Sequence, residues 1–304
     1  RVESLFMYPI SFLEFLEACG DKLIAENLRT LALDKSSNLP APIHSRLLER
    51  LRQYYLVGGM PSVVSKYLES KDYNSVSRLQ NSLLQNYKDD FPKYSKRSSW
   101  DNMISVFNGV ASIIAKDSVS FAKIDRDLRA EKVKRALLLF EEAGLISKIH
   151  STSALTPPLR LLTSNEKFKL LFLDIGLLQN HLGFNWKQVS LSESVGEISG
   201  GQFAEQFVGQ ELLANSNHNS KAQPLYWKRN KDGSQAEIDY ILDIEGKTSI
   251  VEVKSHKTGS LKSMHQFIKE NPNCRPIVLS ERNFEEVNGI TLLPLYMAFR
   301  LAKD

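Results

Sequence analysis

Cysteine is almost missing from this chain: Cys19 and Cys274 are the only two in 304 residues, and they lie far apart. That excludes a disulfide framework and a paired-cysteine zinc or redox motif, and it predicts reduced thiols in a cytoplasmic protein. The six histidines are scattered, and none has a second His or Cys at metal-ligand spacing. No apolar run approaches the roughly 20 residues of a membrane span, and the start does not read as a signal peptide. A GxxxxGK[ST] phosphate loop is also missing. The Gly58-Gly59 pair lies between helical stretches with no Gly-Lys-Ser/Thr after it, so no nucleotide site of that type is complete here. Strong charge of one sign is lacking too. The 39 basic and 35 acidic side chains leave +4, which permits nucleic-acid contact without demanding it.

What is present is enough chain for two or three cores. The first region, 1–92, reads as all helical. Ser11 and Glu14 have capping-box spacing ahead of a helix ending near Gly20, and 31–42 reads as a loop with two prolines. Helical periodicity returns over 44–56, with Leu47, Leu48, Leu51 and Tyr55 on one side. The Gly58-Gly59-Met60-Pro61 cluster stops that helix and starts another, Pro61 suiting the first turn. A longer helix is predicted over 73–88.

The second region, 93–184, has a different order. Helices are predicted over 100–115, 121–128 and 131–143, the second capped from 118–120 and the third closed by Gly144. LISKIH and FKLLFLDI then read as strands joined through Pro157-Pro158. Three helices followed by a hairpin describe a winged helix-turn-helix. Val133, Ala136, Leu137 and Phe140 form the inner stripe of the third helix, which leaves Lys132, Lys134 and Arg135 outward, with Arg129 just before them. Cations at its start and Glu141 and Glu142 at its end oppose the helix-dipole preference. A phosphate partner is one explanation, and nucleic acid, with DNA favoured, is the expected partner. The alternative is an ordinary solvated helix face on a protein-protein spacer. Lys93, Lys96, Arg97, Lys123 and Arg126 add to the basic character.

A Ser- and Gly-containing stretch over 185–200 marks a boundary, and 196–304 alternates helix and strand as an α/β domain. Its centre is AEIDYILDIEGKTSIVEVKS, two β-rich runs around a tight turn at Glu245 to Lys247. Glu252 and Lys254 share a face, as do Glu237, Asp239 and Ile241, while Ile238, Tyr240, Leu242, Val251 and Val253 form the expected core side. With a two-residue loop of Gly246 and Lys247, Asp239 falls opposite Lys254 and diagonal to Glu252. An odd loop would put it on the wrong face. Crowded acids with an ammonium suit a hard cation, Mg²⁺ above all, held by Asp239 and Glu252 with Lys254 beside it. The competing reading is a hairpin with a solvated polar face.

These residues resemble the Asp, then Glu-x-Lys, core of the restriction-endonuclease-like fold of PD-(D/E)xK type, although Ile238 stands where the motif's name has proline. The resemblance implies a further acid from the preceding helix, Glu205 or Glu211 in GGQFAEQFVGQEL, and a catalytic set of Lys254, Glu205, Asp239 and Glu252. The metal ligands would be Asp239, Glu252 and Glu205. Over nearly the whole chain, the ordered segments RVESLFMYPISFLEFL, YLVGGMPSVV, LFEEAGLISKI, FKLLFLDIGLL, AEIDYIL with VEVKS, and LLPLYMAFRL resemble prokaryotic AAA-superfamily ATPases with a C-terminal domain of unknown function. In that family the counterpart of Arg1 follows the ATPase core. The resemblance thus implies that ATP binding, and any oligomer formed through it, belongs to an upstream domain of the intact protein. Three functions remain open: a Mg²⁺-dependent nuclease module, a non-catalytic DNA-binding module, or a protein-interaction module of a signalling ATPase.

Overall fold

The computed structural model describes residues 3–32, 38–94, 100–114, 119–184, 187, 201–229, 236–255 and 261–302. Lys96, Arg97, Ser118 and nearly all of the expected 185–200 linker lie outside these residues. Helix α1 (Phe12–Ala18) starts where the capping box predicts. The Ser11 hydroxyl accepts from the Glu14 amide at 3.4 Å, and the Glu14 carboxylate accepts from the Ser11 amide at 2.7 Å. Removing that hydroxyl with Ser11→Ala is expected to cost about 1 kcal/mol, read as a lower urea midpoint. An unchanged midpoint would mean that burial of Phe12 and Phe15 positions the helix by itself.

Helix α2 (Lys22–Thr30) follows, unforeseen in the sequence, then α3 (Ala41–Val57) and α4 (Pro61–Ser70), with Pro61 in the first turn as expected. Helix α5 (Tyr73–Tyr94) outruns its predicted end and includes Pro92. Next come α6 (Trp100–Ile114), the short α7 (Phe121–Ile124) and α8 (Ala130–Glu142), after which Gly144 turns the chain at φ 71°. Strands β1 (Ile146–Thr152) and β2 (Thr163–Phe172) then form an antiparallel pair. The expected second strand stops short, because Asp174 caps a further helix, α9 (Ile175–His181), by accepting from the Leu177 amide at 2.9 Å.

The C-terminal part runs α10 (Gln202–Ala214), β3 (Leu225–Lys228), β4 (Glu237–Ile244), β5 (Lys247–Val253), α11 (Lys262–Glu270), β6 (Arg275–Ser280), β7 (Glu285–Val287) and β8 (Ile290–Pro294). A final 3-10 helix, Leu295–Leu301, packs against α10. These strands and the earlier hairpin form one mixed eight-stranded sheet, ordered β2-β1-β3-β4-β5-β6-β8-β7. The joint is the parallel pairing of β1 with β3, in which His150, Ser151 and Thr152 meet Leu225, Tyr226 and Trp227. Segments on either side of the expected linker therefore share one ladder. The molecule is helical first and α/β afterwards, as predicted, with both sheet faces covered.

Side-chain amides of α10 tie the two parts together. Gln206 donates to the Phe172 carbonyl and accepts from its amide, both at 2.9 Å, and Gln210 accepts from the Ile175 amide at 2.9 Å. Asp174 also accepts from the Gly59 amide at 2.6 Å. Gly58 and Gly59 thus serve a packed joint, consistent with the reading that they are no phosphate cradle.

Candidate acidic site at the fork of the central sheet

The β4–β5 hairpin turns through Glu245 and Gly246, both at positive φ (57° and 74°), as a two-residue turn that follows the sheet's own twist requires. Asp243 supports it by accepting from the Gly246 amide at 2.9 Å. The loop is even, as expected, but it lies one residue earlier than Gly246-Lys247: Ile244 pairs with Lys247 and Tyr240 with Val251. Continuing that register sets Asp239 beside Glu252 rather than opposite Lys254, which corrects the predicted pairing. The expected single core face is corrected as well. The β3–β4 register shifts between Leu225↔Ile241 and Trp227↔Ile238, so a bulge interrupts the alternation of β4. Ile238 consequently packs with Ile241, Ile250 and α11's Met264 and Phe267, while Tyr240, Val251 and Val253 face the other core.

At the bulge, the Asp239 carboxylate accepts from the Val253 amide at 2.8 Å. A side chain thus takes a backbone donor just beyond the last ladder pair and fixes where the strands part. Glu252 lies beside it, only 10% exposed, with one carboxylate oxygen 2.7 Å from Lys254 Nζ. Its other oxygen, Oε2, is buried and has no hydrogen-bond partner among the described residues. Glu205, in the first turn of α10, completes the convergence from the helix, so the sequence-predicted set of Glu205, Asp239, Glu252 and Lys254 comes together. Glu211 does not join it. That carboxylate accepts from the Phe12 amide at 2.8 Å, at the start of α1, and serves as a buried helix-to-helix link.

Two participants had no place in the predicted set. Lys169, on β2, puts its ammonium 2.8 Å from Glu237, 3.3 Å from Glu205 and 3.6 Å from Asp239. Glu237 also pairs with Lys228 at 3.2 Å. A lysine within the apolar run FKLLF was the available signal for Lys169, but nothing local to that strand says which acids it meets.

The electrostatics follow from crowding. Burial, then the neighbouring Asp239 carboxylate, pushes the Glu205 carboxyl up to about 8. Burial and Asp239 likewise push Glu252 up to about 7, and burial raises Asp239 itself. Burial also works to raise Glu237, but Lys169 and Lys228 outweigh it and hold that carboxyl below its ordinary range. For Lys169, burial disfavours the charge, yet Glu205, Asp239 and Glu237 together hold the ammonium well above the ordinary lysine range. Three ammoniums, Lys169, Lys228 and Lys254, face four carboxyls, so the cluster holds one more acid than base and favours uptake of positive charge, as a proton or a cation.

The oxygen donors and the unpartnered Glu252 Oε2 fit a hard cation such as Mg²⁺. Among the described residues, no three acids are already arranged to hold a metal ion. The second predicted set is separate. Lys132, Lys134 and Arg135 lie exposed on α8, and Arg129 lies exposed at its N-terminal cap. At the other end of α8 the unfavourable Glu141 is answered by Lys148 at 2.7 Å and Lys221 at 3.5 Å. No described helix is long and apolar enough to cross a membrane.

No curated protein and no solved structure matches the chain. Residues 48–188, which include Lys169, match the family model of a domain of unknown function, DUF8612. Residues 200–297, which include Glu205, Glu237, Asp239, Glu252 and Lys254, match a second domain of unknown function, DUF4143, a domain often found C-terminal to AAA ATPases.

Proposed function

We propose that this chain is the nucleic-acid-handling part of an AAA-type ATPase: a winged-helix segment binds DNA, and a restriction-endonuclease-like domain cleaves it with Mg²⁺. The observation that carries the reading is the convergence of Asp239, Glu252 and Lys254 at the parting of β4 and β5, with Glu205 arriving from α10. The order α10-β3-β4-β5-α11-β6, with β3, β4 and β5 antiparallel and β6 parallel to β5, supports it.

Asp239, Glu252 and Glu205 would hold the cation, which supplies Lewis-acid polarisation of a phosphodiester and a water of lowered pKa. Val253 keeps the Asp239 carboxylate aimed through its amide. Lys254 approaches the same cleft, where its ammonium can offset charge gathering on a phosphate. Lys132, Lys134, Arg135 and Arg129 would take up backbone phosphates, displacing counterions. ATP would bind only in the ATPase core of an intact protein, which would also be the route to an oligomer.

Supercoiled DNA with Mg²⁺ or Mn²⁺ tests the catalytic reading. Nicking should fall on the order of 10²-fold or more in Asp239→Ala and in Lys254→Ala. Equal nicking by parent and variants would sink it. The second reading, DNA binding without cleavage, is favoured by one observation: Lys169 already engages three of the acids. It predicts binding that weakens steeply with salt, and Lys132→Ala or Arg135→Ala should each reduce the salt slope by about one. Absence of binding at low salt would leave the protein-interaction module.

A further inference from the structure

We propose that Lys169 is an internal stand-in for a divalent cation, so that a metal ion occupies the acidic cleft only when this ammonium withdraws. The inference rests on the nuclease-like reading of the same acids and adds a form of regulation to it.

Two independent observations carry it. The first is the place of the ammonium: it touches Glu237, Glu205 and Asp239 at 2.8, 3.3 and 3.6 Å, and the side chain keeps only 12% of its exposure. A compact charge on a flexible stem is the protein group nearest in character to a bound cation. The second is the unsatisfied Oε2 of Glu252, buried beside Asp239 on a side chain that is nine-tenths buried. An oxygen desolvated without a partner costs free energy, and a ligand that reached it would recover that cost. Lys169 is paired with Glu205, Glu237 and Asp239, and Lys254 meets only the other oxygen of Glu252, so Oε2 stays unserved among the described residues.

Lys169 Nζ also lies 5.4 Å from the centre of the Tyr226 ring while it meets the acids, so the face of that ring can keep hold of the ammonium as it leaves them. Its strand is the edge of the sheet, and the outer half of β2 is largely exposed while the inner half is buried. A nucleic acid that contacts the exposed end of this hairpin would act on the strand that carries the ammonium. Metal entry would then follow engagement of the hairpin.

Calorimetric titration of Mn²⁺ into the intact chain tests the proposal. Lys169→Met should bind Mn²⁺ at least tenfold tighter than the parent, Lys169→Arg should stay near the parent, and adding Asp239→Asn to Lys169→Met should abolish the gain. Equal affinity in parent and Lys169→Met, with both lost on Asp239→Asn, would overturn the stand-in while sparing the metal site. No Mn²⁺ binding by any folded variant would instead remove the nuclease-like reading, and the stand-in with it. Should Lys169→Met fail to fold, the parent decides the matter. Acetylation of its lysines, read by mass spectrometry, should rise several-fold at Lys169 on saturation with Mn²⁺. Unchanged labelling of Lys169 at saturation would overturn the proposal.

Discussion

Gly59→Ala is expected to lower folding stability by about 3 kcal/mol or more, a large share of the roughly 5–15 kcal/mol that holds a domain folded. A Cβ on Gly59 would meet the Ile10 carbonyl oxygen at 2.2 Å, the Ile10 amide nitrogen at 2.9 Å and the Tyr54 hydroxyl at 2.9 Å. Two of those atoms are backbone, and the Ile10 amide donates to the Gly59 carbonyl at 2.7 Å, so relief must come from separating two main-chain segments. That separation would also disturb the Gly59 amide donated to Asp174 at 2.6 Å and the capping of α9. Gly144→Ala is the control. It lies at φ 71° with nothing within 4 Å of a new Cβ, so only backbone strain remains, about 1 kcal/mol. Urea melts followed by circular dichroism measure both. Equal midpoints for the two variants would show that the Gly59 contact is not a close one.

Glu211→Gln should remove one of the larger pH-dependent contributions to the protein's stability, beside those of Glu205 and Glu252, which stay in the variant. The Glu211 side chain is buried, and burial pushes its carboxyl up to about 8, with Glu14 adding repulsion. In the unfolded chain the same group titrates near the ordinary glutamate value. Between roughly 4.3 and the folded value, the folded chain holds a proton that the unfolded chain has released, so this contribution is lost as pH rises through the window. A shift of this size has a ceiling of about 5 kcal/mol, and relaxation around the group makes ~1–3 kcal/mol the working figure. Glutamine does not titrate and keeps an oxygen for the Phe12 amide. The variant should match the parent near pH 5 and exceed it by that amount at pH 8.5. Parallel stability curves across this range would refute the assignment. Asp174, pushed up to about 6 by burial, adds a smaller loss with the same sign at lower pH, and it remains in both proteins.

How much of this was legible depended on how local the cause was. The α1 start was readable because Ser11 and Glu14 answer each other three residues apart, and α4 because Pro61 suits a first turn. The hairpin was readable from composition, and the pairing of Glu252 with Lys254 from their spacing along one strand, whereas Asp239 was expected opposite Lys254 and lies beside Glu252. Helix α9 was missed because Asp174 sits at the end of an apolar run that reads as strand. Its capping role draws on Gly59, 115 residues away. Glu211 could not be told from Glu205 by sequence, since both lie on α10. Only the approach of α1 shows that Glu211 faces a helix start and Glu205 the cleft.

Local residue chemistry by itself determined that the chain is helical first and α/β later, where its main turns lie, and that Asp239, Glu252 and Lys254 could meet, while the resemblance added an acid from the preceding helix, Glu205 or Glu211. Tertiary structure alone decided the frame of β4 against β5, the bulge that divides Ile238 from Tyr240, and the presence of Lys169 among the acids. The reason is physical. Turn and capping preferences are short-range and written in a few neighbouring residues. A strand's partner, by contrast, and the charge it carries into a cleft, are set by whichever distant segments bury the most surface together.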